Sequence, residues 1–293
     1  MVKRKQNRDP EILEDAPPHN DKNGEEDSSD EDMDMLDVEF EWFDPQPNVD
    51  FHGLKTLLRQ LLDIDAQLFD LSALSDLVLS QPLLGSTVKV DGNESDPYAF
   101  LTVLNLHTHR DKQVIKDLTQ YLLEKSSAHP SLSQLSNLLS PSSDAQVGLI
   151  LTERFINMPP EIVPPMYKML LEEISWALEE KEPYQFSHYL VLSKTYTEVE
   201  SRLDQEESRP QKKKKKDAQT DTFFFHPEDE VLHKHALGNT NFDYTKQSDE
   251  GASDSKRAFQ ELGVRPQGHM ILLEGGSFEG AVKAIGEYLA PQS

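Results

Sequence analysis

The run Glu274-Gly275-Gly276-Ser277-Phe278-Glu279-Gly280 stands between an apolar stretch and an amphipathic one, where a phosphate-cradling loop would sit. Its residue types argue against that role. A P-loop needs Lys-Ser/Thr after its last glycine, and Ala281-Val282 follow instead. A dinucleotide loop needs glycine at the place of Ser277, and Glu274 and Glu279 would face the phosphates. The expectation is a strand-to-helix turn with Ser277 as the helix N-cap. His107 and His109, two apart at a strand end, can point to one side, with Asp111 near as a third metal ligand. No matched second pair of ligands follows, so an ordinary surface loop is expected there. His233 and His235 lie about 200° apart on a helix and cannot share a metal. There is no Gly-x-Ser-x-Gly and no His-Glu-x-x-His. The chain has no cysteine, which excludes disulfides, Fe–S clusters, zinc fingers and thiol nucleophiles. No catalytic, cofactor-binding or metal-ligating residue is expected.

Two charged runs have a physical use. Lys212, Lys213, Lys214, Lys215 and Lys216 are consecutive, and a cationic run on a polar loop suits the acidic groove of a nuclear import receptor. Lys3-Arg4-Lys5 is a second such run. Ser28 and Ser29 each have an acid three residues on, Glu31 and Asp32. Acidophilic kinases favour that arrangement, and phosphate there would deepen the negative charge.

These groups sit in a chain of 293 residues with a net charge of −24. A field of that sign repels phosphate and excludes a general nucleic-acid binder. Residues 9–50 hold seventeen carboxylates against the single Lys22. From Asp9 to Asp32 the only aliphatic side chains are Ile12, Leu13 and Ala16. Such a stretch buries too little apolar surface to offset ordering, so residues 1–35 are expected to be a disordered acidic tail. Residues 36–293 are expected to form one folded domain, with polar insertions at about 205–222 and 246–256. No apolar run reaches the roughly 18 residues of a membrane span. The polar, basic Met1–Arg8 is not expected to be a signal peptide.

Periodicity gives the elements. Val38, Phe40 and Trp42 alternate with Glu39 and Glu41 as in a strand, and Leu54, Leu57, Leu58, Leu61 and Leu62 have helical spacing. A helix over Asp70–Leu79, a strand over Ser86–Val90 and a buried strand over Tyr98–Leu106 follow. Next come helices over Asp111–Lys125 and Leu132–Leu139, a strand over Val147–Phe155 and a long helix over Glu161–Lys181. After the strand Tyr184–Tyr196 come a strand at Thr222–Phe225, a helix over Pro227–Leu237, a strand at His269–Leu273 and a helix over Phe278–Leu289. This order predicts an α/β (or α+β) layered domain with a central mixed sheet flanked by helices.

One stretch is more specific than any of these: Val147 to Tyr167, with Glu153-Arg154-Phe155-Ile156-Asn157 followed by Met158-Pro159-Pro160 at its centre. It resembles the hallmark segment of the BCCIP family in its fungal form. Val38-Glu39-Phe40-Glu41 after an acidic tail, Phe100–Leu106, Tyr189–Thr195 and the lysine-rich loop behind it are similar as well. The similarity spans roughly residues 36–290. The resemblance implies a GNAT acetyltransferase-like fold without its cofactor site. The nearest match to the GNAT pyrophosphate motif, Arg265-Pro266-Gln267-Gly268-His269-Met270, has Met270 where a small residue is required. It also has Pro266, which lacks a backbone donor. The resemblance further implies a non-enzymatic chaperone that escorts a basic large-subunit ribosomal protein, of the universal L-fourteen class, between cytoplasm and nucleus in support of ribosome biogenesis. It also implies a link to nuclear export of a phosphatidylinositol phosphate kinase. The competing readings are a degenerate acetyltransferase and an acidic histone chaperone. Phe155 and Ile156, both apolar, are expected to be buried, and Glu153 and Arg154 to pair with other charges.

Overall fold

A computed structural model describes residues 38–198, 222–245 and 264–290. Ser28, Ser29, Lys212–Lys216, the segment 1–35 and the insertions at about 205–222 (Thr222 apart) and 246–256 lie outside the described residues. The elements are β1 (Glu41–Phe43), α1 (Pro47–Leu62), α2 (Leu71–Leu79), β2 (Ser86–Lys89), β3 (Ala99–Asn105), α3 (Gln113–Ser126), α4 (Leu135–Leu138) and β4 (Val147–Arg154). They continue as α5 (Val163–Glu179), β5 (His188–Glu198), β6 (Thr222–Phe224), α6 (Glu228–His235), β7 (Ala236–Phe242), β8 (Val264–Glu274) and α7 (Gly275–Tyr288).

All eight strands form one mixed sheet in the order β1-β2-β3-β4-β5-β8-β7, with β6 paired to β5 beside that path. Among the described residues only the β4–β5 pairing is parallel; the other pairings are antiparallel. Both faces are covered, so the central strands are apolar on both sides. Leu149, Leu151, Leu190, Leu192, Met270 and Leu272 point to the face packed by α1 to α4. Their neighbours Ile150, Val191, Ile271 and Leu273 point to the face packed by α5, α6 and α7. This period of two divides one apolar sheet between two cores.

The α/β architecture expected from the sequence is present. Three local differences have physical causes. Residues Ala236–Phe242 form a strand, whereas the helix before them was expected to run to Leu237. The segment has no run of β-branched residues; it is a strand because the free edge of β8 pairs it. Gly238 matters here, since a Cβ would lie 2.0 Å from the Ser131 carbonyl oxygen that crosses it. Ser277 is the third residue of α7, not its N-cap. Strand β8 runs straight into the helix, Glu274 occupies the cap position without a side-chain cap bond, and the Gly275 amide donates to Ser187 O at 2.7 Å. The expected helix over Leu132–Leu139 shortens to a 3-10 turn at Pro130–Leu132 and the four-residue α4.

A fully buried ion pair fastens α1 to the sheet. Lys89 Nζ on β2 lies 2.6 Å from Asp50 Oδ1 in the first turn of α1, with neither side chain exposed. Lys89 also donates to Asn93 O at 2.6 Å, and Asp50 Oδ2 accepts the Gln46 amide at 2.7 Å. Removing one partner leaves the other charge buried and uncompensated, which costs about 3–5 kcal/mol, whereas apolar replacement of both is close to neutral. Asp50→Ala is therefore expected to lose about that much in urea unfolding, and the double variant Asp50→Leu/Lys89→Met to recover most of it.

Candidate functional site

Strands β4 and β5 run side by side only part of the way. They pair from Val147↔His188 to Leu151↔Leu192. Beyond this β4 stays with β3, ending at Arg154↔Ala99. Strand β5 continues to Glu198 along β8 and takes β6 on its other edge over Thr195–Thr197. The two parallel strands thus part after Leu151 and Leu192. Side chains close the split, and most of them are charged.

Glu153 on β4 and Lys194 on β5 face each other across it, 2.5 Å apart at Oε2 and Nζ. His226, between β6 and α6, places Nε2 3.3 Å from Glu153 Oε1. Arg154 makes a two-pronged pair with Glu228 in the first turn of α6, Nη1–Oε1 2.5 Å and Nη2–Oε2 3.1 Å. Lys194 also donates to Gln60 O at 3.0 Å, and Gln60 Nε2 to Arg154 O at 2.8 Å, which ties in the end of α1. Ser193 Oγ donates to Asp229 Oδ2 at 2.5 Å. Glu153, Arg154, Lys194, His226, Glu228 and Asp229 are all buried.

Burial and pairing pull these groups in opposite directions. Burial alone would raise the Glu153 carboxyl, but the His226 hydrogen bond and the Lys194 ammonium outweigh it and hold it at about 2. Burial works against the His226 cation, yet Glu153 and Glu228 raise its pKa. Burial pushes Asp229 up to about 7 against the pull of His226. At the cleft margin burial also raises Asp63, opposed by Lys194.

The network is the floor of a cleft of about 900 Å³, walled by Arg59, Asp63, Phe155, Ile156, Phe225 and Pro266. Within it the motif residues part company. Glu153 and Arg154 are buried and paired, as expected. Phe155 is half-buried, packed edge-on against Tyr98, its amide donating to Tyr98 O at 3.1 Å. Ile156 was expected to be buried and is instead 92% exposed. Strand β4 ends at Arg154, so the alternation that would turn Ile156 inward ends with it. Asn157 lies on the exposed turn that follows. Pro159 and Pro160 lead into the 3-10 turn before α5, whose Ile162 is buried.

As chemistry, the site is a closed set of charges. Ser193 and Asp229 do not line the cleft, and no histidine reaches the Ser193 hydroxyl among the described residues, so they do not form a Ser-His-Asp relay. Among the described residues no three His, Asp or Glu side chains converge as metal ligands. His107 and His109 sit in the turn after β3, where Asn105 Oδ1 accepts the amides of His107 and Thr108. His233 meets His269 on β8 instead of His235, Nε2 to Nε2 at 2.6 Å.

The stretch Arg265–Met270 does not fit a pyrophosphate. It lies inside β8, paired with β5 throughout and with β7 from Gly268 on, so its backbone is committed to the sheet. Met270 is buried, and Arg265 and Gln267 both bind Asp243. Gly268 answers to the Phe242 ring, which a Cβ would approach to 2.2 Å.

Sequence reasoning found one half of the site and missed Lys194, His226, Glu228 and Asp229. A lysine inside the apolar run Tyr189–Thr195 was the available signal, because a buried lysine needs an acidic partner.

A mixed sheet between two helical layers, its one parallel seam split and plugged by ion pairs, defines an α/β protein whose site holds a loop in place. The BCCIP family model matches residues 35–232. Protein bcp1 of Aspergillus fumigatus is 67% identical over 268 residues, 91% of this chain and 92% of that protein. Protein bcp1 of Schizosaccharomyces pombe is 50% identical over 260 residues, 87% and 91% of the two chains. The crystal structure of BCP1 from Saccharomyces cerevisiae aligns with a TM-score of 0.59 at 26% identity, covering 89% of this chain and 93% of that one. The chain belongs to the BCCIP family.

The pH dependence of stability follows from the network. The Glu153 pKa is depressed from 4.5 to about 2, so its contribution, roughly 3 kcal/mol, is present above pH 4.5 and lost as pH falls toward 2. Asp229 is raised from 3.8 to about 7, so its contribution is present below pH 3.8 and lost as pH rises from there to about 7. His226 is raised above 6.5, so its contribution is lost only as pH rises beyond 6.5. With Glu153 gained by pH 4.5 and Asp229 lost above 3.8, stability is expected to peak at about pH 4–5 in thermal unfolding. In Glu153→Gln the acid limb should flatten, and stability at pH 6 should fall by about 3–5 kcal/mol because Lys194 and His226 lose their counter-charge.

Proposed function

We propose that this protein is a non-enzymatic chaperone and nuclear transport adaptor for a basic large-subunit ribosomal protein of the universal L-fourteen class, and that the motif loop over the split is where the cargo docks. One observation carries the reading. Ile156, 92% exposed, stands on a turn whose flanks are tied down by Arg154–Glu228 on one side and the Phe155 amide on the other. An apolar side chain held rigidly in water has lost the freedom that would blunt binding, and it gains by being covered by a partner. The charge of −24 supports a cationic cargo, because complementary fields speed encounter and reject acidic competitors. In this reading the acidic tail steers the cargo and the folded body discriminates.

Family membership supports the same role. The lysine run Lys212–Lys216 fits an import receptor, consistent with shuttling between nucleus and cytoplasm and with the link to a phosphatidylinositol phosphate kinase. Neither nucleic-acid contact nor membrane insertion belongs to this reading, and no helix among the described residues is long and apolar enough to cross a membrane.

Ile156→Asp should leave stability within about 0.5 kcal/mol, since the residue is in solvent. It should weaken binding of the purified ribosomal protein at least about tenfold, as expected for a central apolar anchor. Titration calorimetry on the full chain, with core histones as a second cationic ligand, checks this. Unchanged affinity in Ile156→Asp, or preference for histones, would overturn the assignment.

A further inference from the structure

Away from the split, a groove of about 600 Å³ runs between α3, α4 and the turn after β3. Its floor is apolar: Leu106, Leu123, Leu138, Leu139 and Ala145. Leu123, Leu138, Leu139 and Ala145 are only partly buried, packed against the core from its edge. Along one wall Lys116, Thr119, Gln120 and Leu123 follow one another at helical spacing on α3. That wall is about 10 Å long, enough for about two turns of an opposing helix with anchors at i, i+4 and i+7.

The rim settles the sign of the partner. Arg110 and Lys116 line the groove and neither makes an ion pair among the described residues. Lys112 stands beside them at the start of α3. Against these, Asp111 is the one acid of the lining; Asp117 on the same helix keeps its charge while accepting from Gln113 Nε2 at 2.7 Å, but it does not line the groove. The amino end of α3 adds its own positive potential. Charges farther away than about 8 Å are screened at physiological salt, so a docked segment responds to this local excess of cations and not to the net −24. A cationic segment is disfavoured here.

We propose that this groove is a docking site for an amphipathic helix of a partner protein, with Leu, Ile or Met along one face and Asp or Glu on its flanks. The proposal is independent of the cargo reading, because its partner has the opposite charge and binds a different face. It gives the fold two separately addressed surfaces.

The test uses the full chain and a synthetic helical peptide of about sixteen residues, with leucines at i, i+4 and i+7 and glutamates flanking them. Its counterpart has lysine at every glutamate. Methyl NMR titration is expected to show saturable binding of the glutamate peptide, with shifts confined to Leu106, Leu123, Leu138, Leu139 and Ala145. The lysine peptide should bind more weakly. Arg110→Glu/Lys116→Glu, two exposed changes that leave the melting temperature in place, should weaken the glutamate peptide about tenfold and reverse the preference between the two. Equal binding of both peptides, shifts at other methyl groups, or no saturable binding would each overturn the proposal.

Discussion

The structure turns on the parting of two parallel strands. A seam between β4 and β5 that simply opened would leave backbone groups and apolar side chains facing water in the middle of the sheet. Here the opening is filled from three sides: Lys194 from β5, Glu153 from β4, and His226 with Glu228 from the β6–α6 connection. Charges suit this place better than methyl groups, because two of them also bond backbone atoms beside the split. Lys194 reaches Gln60 O, and Glu153 Oε1 accepts the Arg154 amide at 3.0 Å. Buried pairs of this kind add little net stability compared with an apolar plug. Their effect is specificity, fixing which segments meet at the split.

What they fix is the path of the chain leaving β4. Arg154 is held by Glu228, the next amide by Tyr98 O, and Met158 N returns to Phe155 O at 2.9 Å. Ile156 is left as the apolar apex of this short bridge. The loop then enters α5, whose Val163, Met166, Tyr167 and Leu170 bury against the sheet. An exposed isoleucine at the tip of a pinned turn differs from one on a loose loop, because little conformational entropy remains to be lost when a partner covers it.

Much of the architecture was legible in the sequence because the strands are apolar at both parities and the helices carry leucine at helical spacing. The strand β7 was not legible, since Ala236–Phe242 has weak intrinsic preference and takes its conformation from the edge of β8. At the site, Glu153 and Arg154 could be read as paired, because charges closing an apolar strand need partners. Their partners lie up to 74 residues away, across the segment 199–221, and nothing local announces them. Ile156 was misread for a related reason. Hydrophobicity alone predicts burial, and only the exact end of β4 decides whether the next apolar side chain turns in or out.

The central claim is that the buried charges hold the Ile156 turn rigid, and backbone nitrogen order parameters across Phe155–Met158 in the free, full-length protein address it most directly. The account predicts values near 0.85 in the native chain, as for ordered backbone, and a clear drop at Ile156 and Asn157 in Glu228→Gln, which removes the charge opposite Arg154. Values below about 0.6 in the native protein, or no change in the variant, would contradict it.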